Sequence, residues 1–297
     1  MAYVDGLVSV LIPLYNRAKY IDETITSALK QEYSHIEIIV VDDGSTDGGD
    51  KLVEAYCKDY PVTLYRHPGN VNLGQSISLN LAITKARGEF IAILDSDDIF
   101  LPNKLSEQVT FLRENPDVDL VYGMGYGVNA DGEIVYEILC EAHEEKNDPN
   151  RVLLDCYFHL PVSSLLRRKV FDLVGGFDES LRAGQDHDMQ VRMAEKIKLG
   201  FLPRRVYHYR RHGDSISSTG LERRWRNANI ILDKAVKRFN YRTETVRKRR
   251  AIINFRLAQV LWSQKTNRIE AARRFIYSGL LDPLRALRVI TRQEKIK

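Results

Sequence analysis

Short apolar runs alternate with segments of helical periodicity over the first third of the chain. Runs of four to eight apolar or β-branched residues are typical of buried strands, and apolar residues that repeat every three or four positions are typical of helices. The strands predicted in this way are 8–12, 36–41, 62–65 and 90–94. The helices between them are 20–31, 48–59 and 76–86. Strands that alternate with helices of this length indicate a parallel α/β sheet.

Beyond residue 102 the predicted elements become less regular. They are the helices 104–114 and 170–174, the strands 119–128 and 162–166, and a helix that opens at 184–189. The polar, acidic stretch 140–149 has no period, so we predict a mobile loop there. The last part of the chain is predicted to be helical, with segments 221–239, 243–264, 267–281 and 283–291.

Charge is distributed unevenly between this helical part and the rest of the chain. Residues 221–297 contain 21 Lys and Arg against 6 Asp and Glu, a balance of +15. The whole chain has 44 basic and 40 acidic residues, which leaves 23 basic against 34 acidic before residue 221, a balance of −11. Opposite signs indicate two modules, and we predict domains 1–219 and 220–297.

The basic helical region allows three interpretations. It is a helical appendage that docks on the acidic first module, or a surface that attracts anionic lipid head groups, near which a lipid-linked acceptor would be found. Nucleic acid is the third, and we expect no such partner, because the region has neither interleaved aromatic residues nor a known binding module. Its densest basic run is 247–250.

The composition, with 44% hydrophobic and 28% charged residues, is that of an ordinary globular protein. No apolar run reaches the roughly eighteen residues that a membrane-spanning helix needs. The N-terminus lacks the pattern of a secretory signal, and three scattered cysteines predict neither a disulfide framework nor a zinc site. We therefore expect a cytoplasmic location, peripheral to the inner face of the membrane if the basic region binds lipid.

Two groups of carboxylates follow predicted strands. Asp42 and Asp43 end the second strand, and Asp95, Asp97 and Asp98 end the fourth. Buried carboxylates that repel one another need a cation, basic side chains or open water. A divalent metal that holds phosphates is one interpretation, since hard oxygen ligands suit Mg²⁺ or Mn²⁺, and a solvated acidic turn is the other. In parallel sheets ligands bind at the carboxyl ends of strands, which favours a binding site.

The turn after the first strand excludes two common kinds of nucleotide site. Residues 13–16 read Pro-Leu-Tyr-Asn, where a dinucleotide-binding protein would have a Gly-x-Gly-x-x-Gly turn. The chain also lacks a Gly-Lys-Ser or Gly-Lys-Thr phosphate loop. A nucleotide bound here would therefore have its phosphates held by metal and not by a glycine-rich cradle.

Several segments, in this order, resemble the inverting glycosyltransferases of family 2, which have the GT-A fold. The matching segments are 8–16, 37–47, 72–80, 88–102, 175–178 and 185–188, and the resemblance covers about residues 5–219. It implies a mixed, mainly parallel α/β sheet that binds a nucleotide-sugar donor through about 1–102 and an acceptor through 103–219. The C-terminal all-helical region lies outside it.

The resemblance also implies roles for individual residues. Asp43 would accept a hydrogen bond from the base, most often uracil, with Tyr15 near the base and Pro13 near the ribose. Asp95 would lie beside the ribose and metal, and Asp97 would bind the Mn²⁺ or Mg²⁺ that bridges the phosphates. The donor-binding set it implies is Pro13, Tyr15, Asn16, Asp43, Asn72, Gly74, Asp95, Ser96 and Asp97.

The resemblance implies that Asp186 is the general base that deprotonates the acceptor hydroxyl. Asp188 is an alternative base two positions further on. His212 is a candidate third metal or phosphate contact, or a polar residue of a surface loop. The implied enzyme is a hexosyl- or N-acetylhexosaminyltransferase that uses a UDP-sugar and a saccharide or lipid-linked acceptor.

Two departures from the family pattern leave a second hypothesis open. Gln185 stands where the family has an acidic residue, and Leu79 stands where it has an arginine that contacts the base or phosphate. The alternative function is therefore a nucleotide-sugar binding protein whose catalysis is weakened.

Overall fold

The computed structural model describes residues 3–213 and 220–290, which form two compact units. The first unit contains residues 3–147 and 157–212. The second contains 148–156 together with 213 and 220–290. The segment 148–156 therefore groups with the C-terminal helices, although the family resemblance implied that it belongs to the acceptor-binding part of the first module.

The first unit is built on one mixed sheet. Its strands are β1 (Val4–Leu14), β2 (Ile36–Asp42), β3 (Val62–Arg66), β4 (Gly88–Ile93), β5 (Ile99–Phe100), β6 (Leu120–Val128), β7 (Ile134–Ile138), β8 (Ser164–Arg167) and β9 (Leu199–Arg210). Their order is β3-β2-β1-β4-β8-β6-β9-β5, and β7 pairs antiparallel with the second half of β6. Strands β3, β2, β1 and β4 are parallel neighbours, β9 is parallel to β6, and β8 is antiparallel to both β4 and β6. The predicted mixed, mainly parallel α/β fold is confirmed.

Helices follow most of the strands. Those of the first unit are α1 (Ile21–Leu29), α2 (Gly49–Asp59), α3 (Gln75–Lys85), α4 (Lys104–Glu114), α6 (Leu160–Ser163), α7 (Val170–Val174) and α8 (Gln185–Ala194). Those of the second are α5 (Pro149–Leu154), α9 (Leu221–Arg238), α10 (Thr243–Ser263), α11 (Arg268–Leu281) and α12 (Pro283–Ile290). The four predicted C-terminal helices are confirmed to within two residues at their ends.

Strand β1 positions the candidate site, because it lies between β2 and β4. Its residues Val8, Val10 and Ile12 are fully buried, as is Leu11, whose side chain points to the opposite face of the sheet. Burying each such side chain contributes about 1.5–3 kcal/mol, so the centre of the sheet is a rigid base. Loops that leave its carboxyl edge therefore start from fixed points.

The segment 139–148 lies outside helices and strands but has specific anchors. The side chain of Asn147 accepts from the backbone N–H of Leu199 at 2.6 Å and donates to its carbonyl at 3.1 Å. The carboxylate of Glu145 accepts hydrogen bonds from the hydroxyls of Tyr122 and Tyr157, both at 2.7 Å. These bonds attach a stretch without periodic pattern to the sheet.

The second unit is a small helical assembly with its own packing. Leu257, Leu261 and Ala271 form a buried cluster against which Trp225 packs. The hydroxyl of Ser278 donates to the carbonyl of Ala251 at 2.8 Å, which links α11 to α10. None of the helices in the described residues combines the length and the apolar composition that a membrane crossing requires.

Candidate active site

The carboxyl ends of β2, β1 and β4 meet at one edge of the sheet. Leu14, the last residue of β1, pairs with Asp42 at the end of β2. On the other side, the N–H of Leu94 donates to the carbonyl of Leu11 and so extends the pairing of β4 with β1. This register brings together the loops after the three strands, as expected for ligand sites in parallel sheets. Both acidic groups predicted from the sequence lie in these loops.

Asp43 is held by the start of α3. Its carboxylate accepts hydrogen bonds from the backbone N–H groups of Leu73, at 2.7 Å, and Gly74, at 2.9 Å. Burial raises the pKa of Asp43, although these two N–H groups and the nearby His67 act to lower it. The carboxylate is thus fixed in orientation but keeps lone pairs for a further donor.

Gly74 is required at this point by two features. Its φ is +101°, which side chains rarely allow, and a Cβ there would lie 2.7 Å from the guanidinium of Arg182. Arg182 also donates to the exposed Asn72 at 3.0 Å, and its charge acts on Asp43. Arg182, which comes from the segment before α8, therefore lies at this edge of the sheet. The resemblance implied an arginine at position 79, but the residue there is Leu79, which is buried.

The remaining candidates on the nucleotide side differ in their contacts. Tyr15 is 44% exposed, whereas Pro13 is a buried residue of β1. Asn16 joins two loops, because its side-chain oxygen accepts from the N–H of Thr46 at 2.8 Å and its own N–H donates to Ser45 at 3.0 Å. Ser96, which stands between Asp95 and Asp97 in the sequence, is buried.

Two basic side chains from distant parts of the chain make hydrogen bonds to the carboxylate of Asp97. Nε of Arg17 donates to its Oδ2 at 3.0 Å, and Nε2 of His212 lies 2.8 Å from the same oxygen. Burial acts to raise the pKa of Asp97, but the His212 hydrogen bond and the Arg17 charge outweigh it and hold the pKa below its ordinary value. The carboxylate is therefore stabilised as an anion. His212 belongs to the same cluster and is largely buried.

The pKa of Asp95 is shifted in the opposite direction to that of Asp97. Burial and the negative charges of Asp97 and Asp186 raise its pKa to about 8. Nε2 of Gln75 donates a hydrogen bond to its Oδ1 at 2.7 Å. These surroundings disfavour the ionised form of Asp95, and a bound cation would favour that form instead.

Asp98 lies behind the other two carboxylates. It is 1% exposed, and its Oδ1 accepts the backbone N–H of Arg210 at 2.7 Å. Arg210 is itself buried and is held by Glu23 at 2.6 Å and by the carbonyl of Asp97 at 3.0 Å. Burial, together with the charges of Asp97 and Asp95, raises the pKa of Asp98 well above its ordinary value. Asp98 thus ties the acidic turn to the end of β9.

Asp186 and Asp188 lie in the first turn of α8 but have different surroundings. Asp188 is buried, and its carboxylate accepts from Nε of Arg192 at 2.8 Å. Asp186 is half-buried, and its charge acts on Asp95. Of the two, Asp186 is the carboxylate whose charge raises the pKa of Asp95 in the acidic cluster.

Asn80 on α3 fixes the segment that leads to α8. Its side chain donates to the carbonyl of Phe177 at 2.9 Å and accepts from the N–H of Phe177 at 2.7 Å. Gly176 is needed beside it, because a Cβ at that position would lie 2.6 Å from the Asn80 oxygen. This paired contact brings a segment about 100 residues away in the chain to the carboxylate edge.

Four residues of the site did not emerge from the sequence: Arg17, His67, Gln75 and Arg182. Arg17 and Gln75 directly follow motif residues, Asn16 and Gly74, so their position next to a strand or helix end was an available signal. His67 and Arg182 lie in stretches without motif or period, and only the fold brings them to Asp43.

The carboxylates suit a divalent cation by their chemistry. Among residues 3–213 and 220–290, no three His, Cys, Asp or Glu side chains are grouped as a protein-only metal cage would need. Mg²⁺, however, is often held by one or two carboxylates, with substrate phosphates and water completing the shell. Asp97, with Asp95 or His212 beside it, fits such a partial ligand set.

Comparisons with known proteins agree with this geometry. The family model named glycosyl transferase family 2 matches residues 9–175. Glycosyltransferase GlyG of Streptococcus pneumoniae serotype 4 is 31% identical over 233 residues, which cover 75% of this chain and 76% of GlyG. Some other relatives are longer, and this chain spans about a third of their length or less.

Two solved structures share the fold at low sequence identity. S. aureus TarS 1-349 in complex with UDP-GlcNAc has a TM-score of 0.68 at 21% identity, over 92% of this chain and 80% of that one. The mannosyltransferase PcManGT from Pyrobaculum calidifontis, in complex with GDP-Man and Mn²⁺, has a TM-score of 0.62 at 20% identity, over 96% and 82%. Likeness at this level of identity establishes the GT-A fold alone.

Proposed function

Because this chain belongs to glycosyl transferase family 2, we propose that it is an inverting enzyme that moves a sugar from a UDP-sugar to an acceptor hydroxyl. The sugar is a hexose or an N-acetylhexosamine, and the acceptor is a saccharide or a lipid-linked molecule. The observation that carries the proposal is the arrangement at the sheet edge. The charge of the half-buried Asp186 acts on Asp95 of the acidic cluster, and a separate fixed carboxylate, Asp43, follows β2 at the same edge of the sheet.

In this proposal Asp43 and the exposed ring of Tyr15 bind the base, with Pro13, Asn16, Asn72 and Gly74 shaping the nucleotide site. The fixed orientation of Asp43 supports this role, since a preoriented acceptor suits the N–H of uracil. TarS supports uridine as the nucleotide because it binds UDP-GlcNAc, whereas PcManGT was solved with GDP-Man. Asp95 and Ser96 lie towards the ribose and phosphates.

Asp97, with Asp95 and His212, would hold Mn²⁺ or Mg²⁺. When bound, such an ion stabilises the negative charge that grows on the leaving diphosphate. The lowered pKa of Asp97 supports a ligand role, because a metal ligand must be deprotonated. Arg17 keeps a positive charge beside that carboxylate.

Asp186 would take the proton from the acceptor hydroxyl as that oxygen attacks the anomeric carbon. Attack from the side opposite the leaving diphosphate inverts the anomeric configuration, with a single base. A positioned carboxylate base contributes roughly 10²–10⁴-fold to such a step. Asp188 is a poorer candidate, since its carboxylate is buried and paired with Arg192.

The test is a donor screen on the purified protein. We expect UDP with Mn²⁺ to raise the melting temperature, and at 100 Kd the added stability is about 2.7 kcal/mol. UDP release from a panel of UDP-sugars with an added acceptor should then identify the sugar. Stabilisation by GDP or dTDP but not by UDP would overturn the choice of nucleotide. Stabilisation by UDP without any release across donors and acceptors would favour the alternative, a binding protein with weakened catalysis.

We further propose that the second unit contacts an anionic membrane at the cytoplasmic face. Five aliphatic side chains of α11 and α12 are more than half exposed: Ile269, Ile276, Leu280, Leu284 and Leu287. Arg268, Arg273 and Arg288 are exposed on the same two helices. Apolar residues interleaved with arginines are typical of surfaces that lie in the head-group region of anionic bilayers.

Vesicle flotation tests this contact. The protein should float with vesicles that contain phosphatidylserine and not with pure phosphatidylcholine, and salt should weaken the binding. Leu280→Asp should reduce binding at least about tenfold. The variant replaces an apolar side chain that would be buried in the bilayer by a negative charge, which anionic lipids repel. Leu52→Asp, on an exposed leucine of α2, is the matched control and should bind as wild type does. Equal loss in both variants, or binding that ignores lipid charge, would overturn the proposal.

A further inference from the structure

Two glutamines connect the helix of the proposed base to the acidic cluster. Nε2 of Gln185, the first residue of α8, donates to Oε1 of Gln75 at 2.6 Å. Nε2 of Gln75, the first residue of α3, donates to Oδ1 of Asp95 at 2.7 Å. The chain of bonds therefore runs between residues 110 and 20 positions apart in the sequence.

The order of donors and acceptors in these two hydrogen bonds is determined at Asp95. A carboxylate that ligates a cation is deprotonated and only accepts hydrogen bonds, so a site that holds a cation needs the NH₂ group of Gln75 turned towards Asp95, as it is here. Its carbonyl oxygen then faces residue 185, which must be a donor. A glutamine at 185 meets that requirement, whereas an ionised glutamate has no hydrogen to donate.

Each glutamine also lies beside a residue with a proposed role. Gly74, next to Gln75, donates its N–H to Asp43. Asp186 directly follows Gln185. The two bonds thus join the nucleotide side of the site, the acidic cluster and the base helix through consecutive residues.

Gln185 is also maintained at a cost to packing. It is 7% exposed, and within the described parts of the chain its Oε1 has no hydrogen-bond partner. A buried acceptor without a partner is unfavourable, and the hydrogen bond that the Gln185 side chain does make is the one to Gln75.

We propose that Gln185 and Gln75 form a directional relay that positions Asp95 for binding the nucleotide diphosphate and its cation. Both are positioning residues, and the relay rests on the proposed glycosyltransferase function. Gln185 is then a matched partner of Gln75 and not a sign of weakened catalysis. Restoring an acid at 185 alone should damage the site, because Gln75 would have to turn its oxygen towards Asp95.

The test is a set of variants in the full chain, with the Kd for UDP–Mn²⁺ measured by calorimetry and the melting temperature measured in parallel. Gln185→Leu and Gln75→Leu should each weaken binding roughly 10–100-fold, as the loss of a hydrogen-bonding partner behind a metal-site ligand does. The double Leu variant should bind UDP–Mn²⁺ no more weakly than either single variant, because each substitution interrupts the same series of hydrogen bonds. Gln185→Leu removes the unpaired Oε1 of residue 185 but leaves the partly buried Oε1 of Gln75 without its donor, so the melting temperature should change little.

The orientation argument makes a separate prediction. Gln185→Glu should bind UDP–Mn²⁺ more weakly than Gln185→Leu does. Adding Gln75→Leu to Gln185→Glu should recover part of the loss, since the misdirected oxygen is gone. A carboxylate at 185 without an orienting role would not produce this recovery.

Gln190→Leu is the control, because this buried glutamine lies on the same helix and donates to the carbonyl of Phe158 at 2.7 Å. It should lower the melting temperature without changing the Kd. Additive losses in the double Leu variant, or a Kd that changes only in step with melting temperature, would overturn the relay alone. A wild-type protein that binds no nucleoside diphosphate would overturn the proposed function and the relay with it.

Discussion

Asp186→Asn should abolish sugar transfer while the donor still binds. Asparagine keeps the size of the side chain but cannot accept the proton of the acceptor hydroxyl at neutral pH. We expect kcat to fall roughly 10²–10⁴-fold, the usual contribution of a positioned base. The Kd for UDP–Mn²⁺ should not weaken, because the variant removes a negative charge that acts on Asp95. Single-turnover UDP release and calorimetry measure the two quantities separately.

Asp188→Asn is the matched control, two residues further along α8. It breaks a buried ion pair with Arg192, so its cost should fall on stability, about 3 kcal/mol or more. The kcat of the folded fraction should remain near that of the wild type. If Asp188→Asn loses the rate while its melting temperature is kept, and Asp186→Asn retains the rate, the base is Asp188.

The central strands were predictable because burial on both faces leaves an unmistakable pattern. β1, β2 and β4 are nearly continuous apolar runs, as buried parallel strands are. β9 is absent from the predicted strands because its twelve residues include a proline and several arginines, and pairing with β6 and β5 makes them a strand. β7 is absent for a related reason, since four of its five residues are exposed. The predicted strand 162–166 starts later, at Ser164, because Leu160–Ser163 form a helical turn.

The candidate site was predictable in its carboxylates but not in their partners. Acidic residues after a buried strand are visible in the sequence, since strand ends and ligand sites coincide in parallel sheets. Arg17 and His212, in contrast, reach Asp97 across 80 and 115 residues. Their contacts depend on which strands become neighbours, and residue spacing along the chain does not contain that information. The same holds for Gln185, because its proposed role depends on its hydrogen bond to Gln75.

Asp97→Ala should abolish metal-dependent nucleotide binding while the first unit remains folded. The side chain is partly exposed at the edge of the sheet and contributes no apolar packing. Its loss removes an anionic oxygen that we propose as a cation ligand. Because removing a second-shell partner already costs roughly 10–100-fold in metal affinity, loss of the ligand itself should exceed that range. The measurement is the Kd of UDP with and without Mn²⁺, together with circular dichroism of the variant.

Asp117→Ala provides the comparison, because Asp117 is an exposed aspartate paired with Lys198 outside the acidic cluster. It should bind UDP–Mn²⁺ as the wild type does.

His212→Ala then separates two roles within the cluster. If His212 is a cation ligand, its loss should weaken UDP binding only when Mn²⁺ is present. If it only keeps Asp97 ionised, raising the pH should restore binding in His212→Ala, because a carboxylate that has lost its hydrogen-bonding partner titrates at higher pH. Full activity in Asp97→Ala would remove that residue from the metal site.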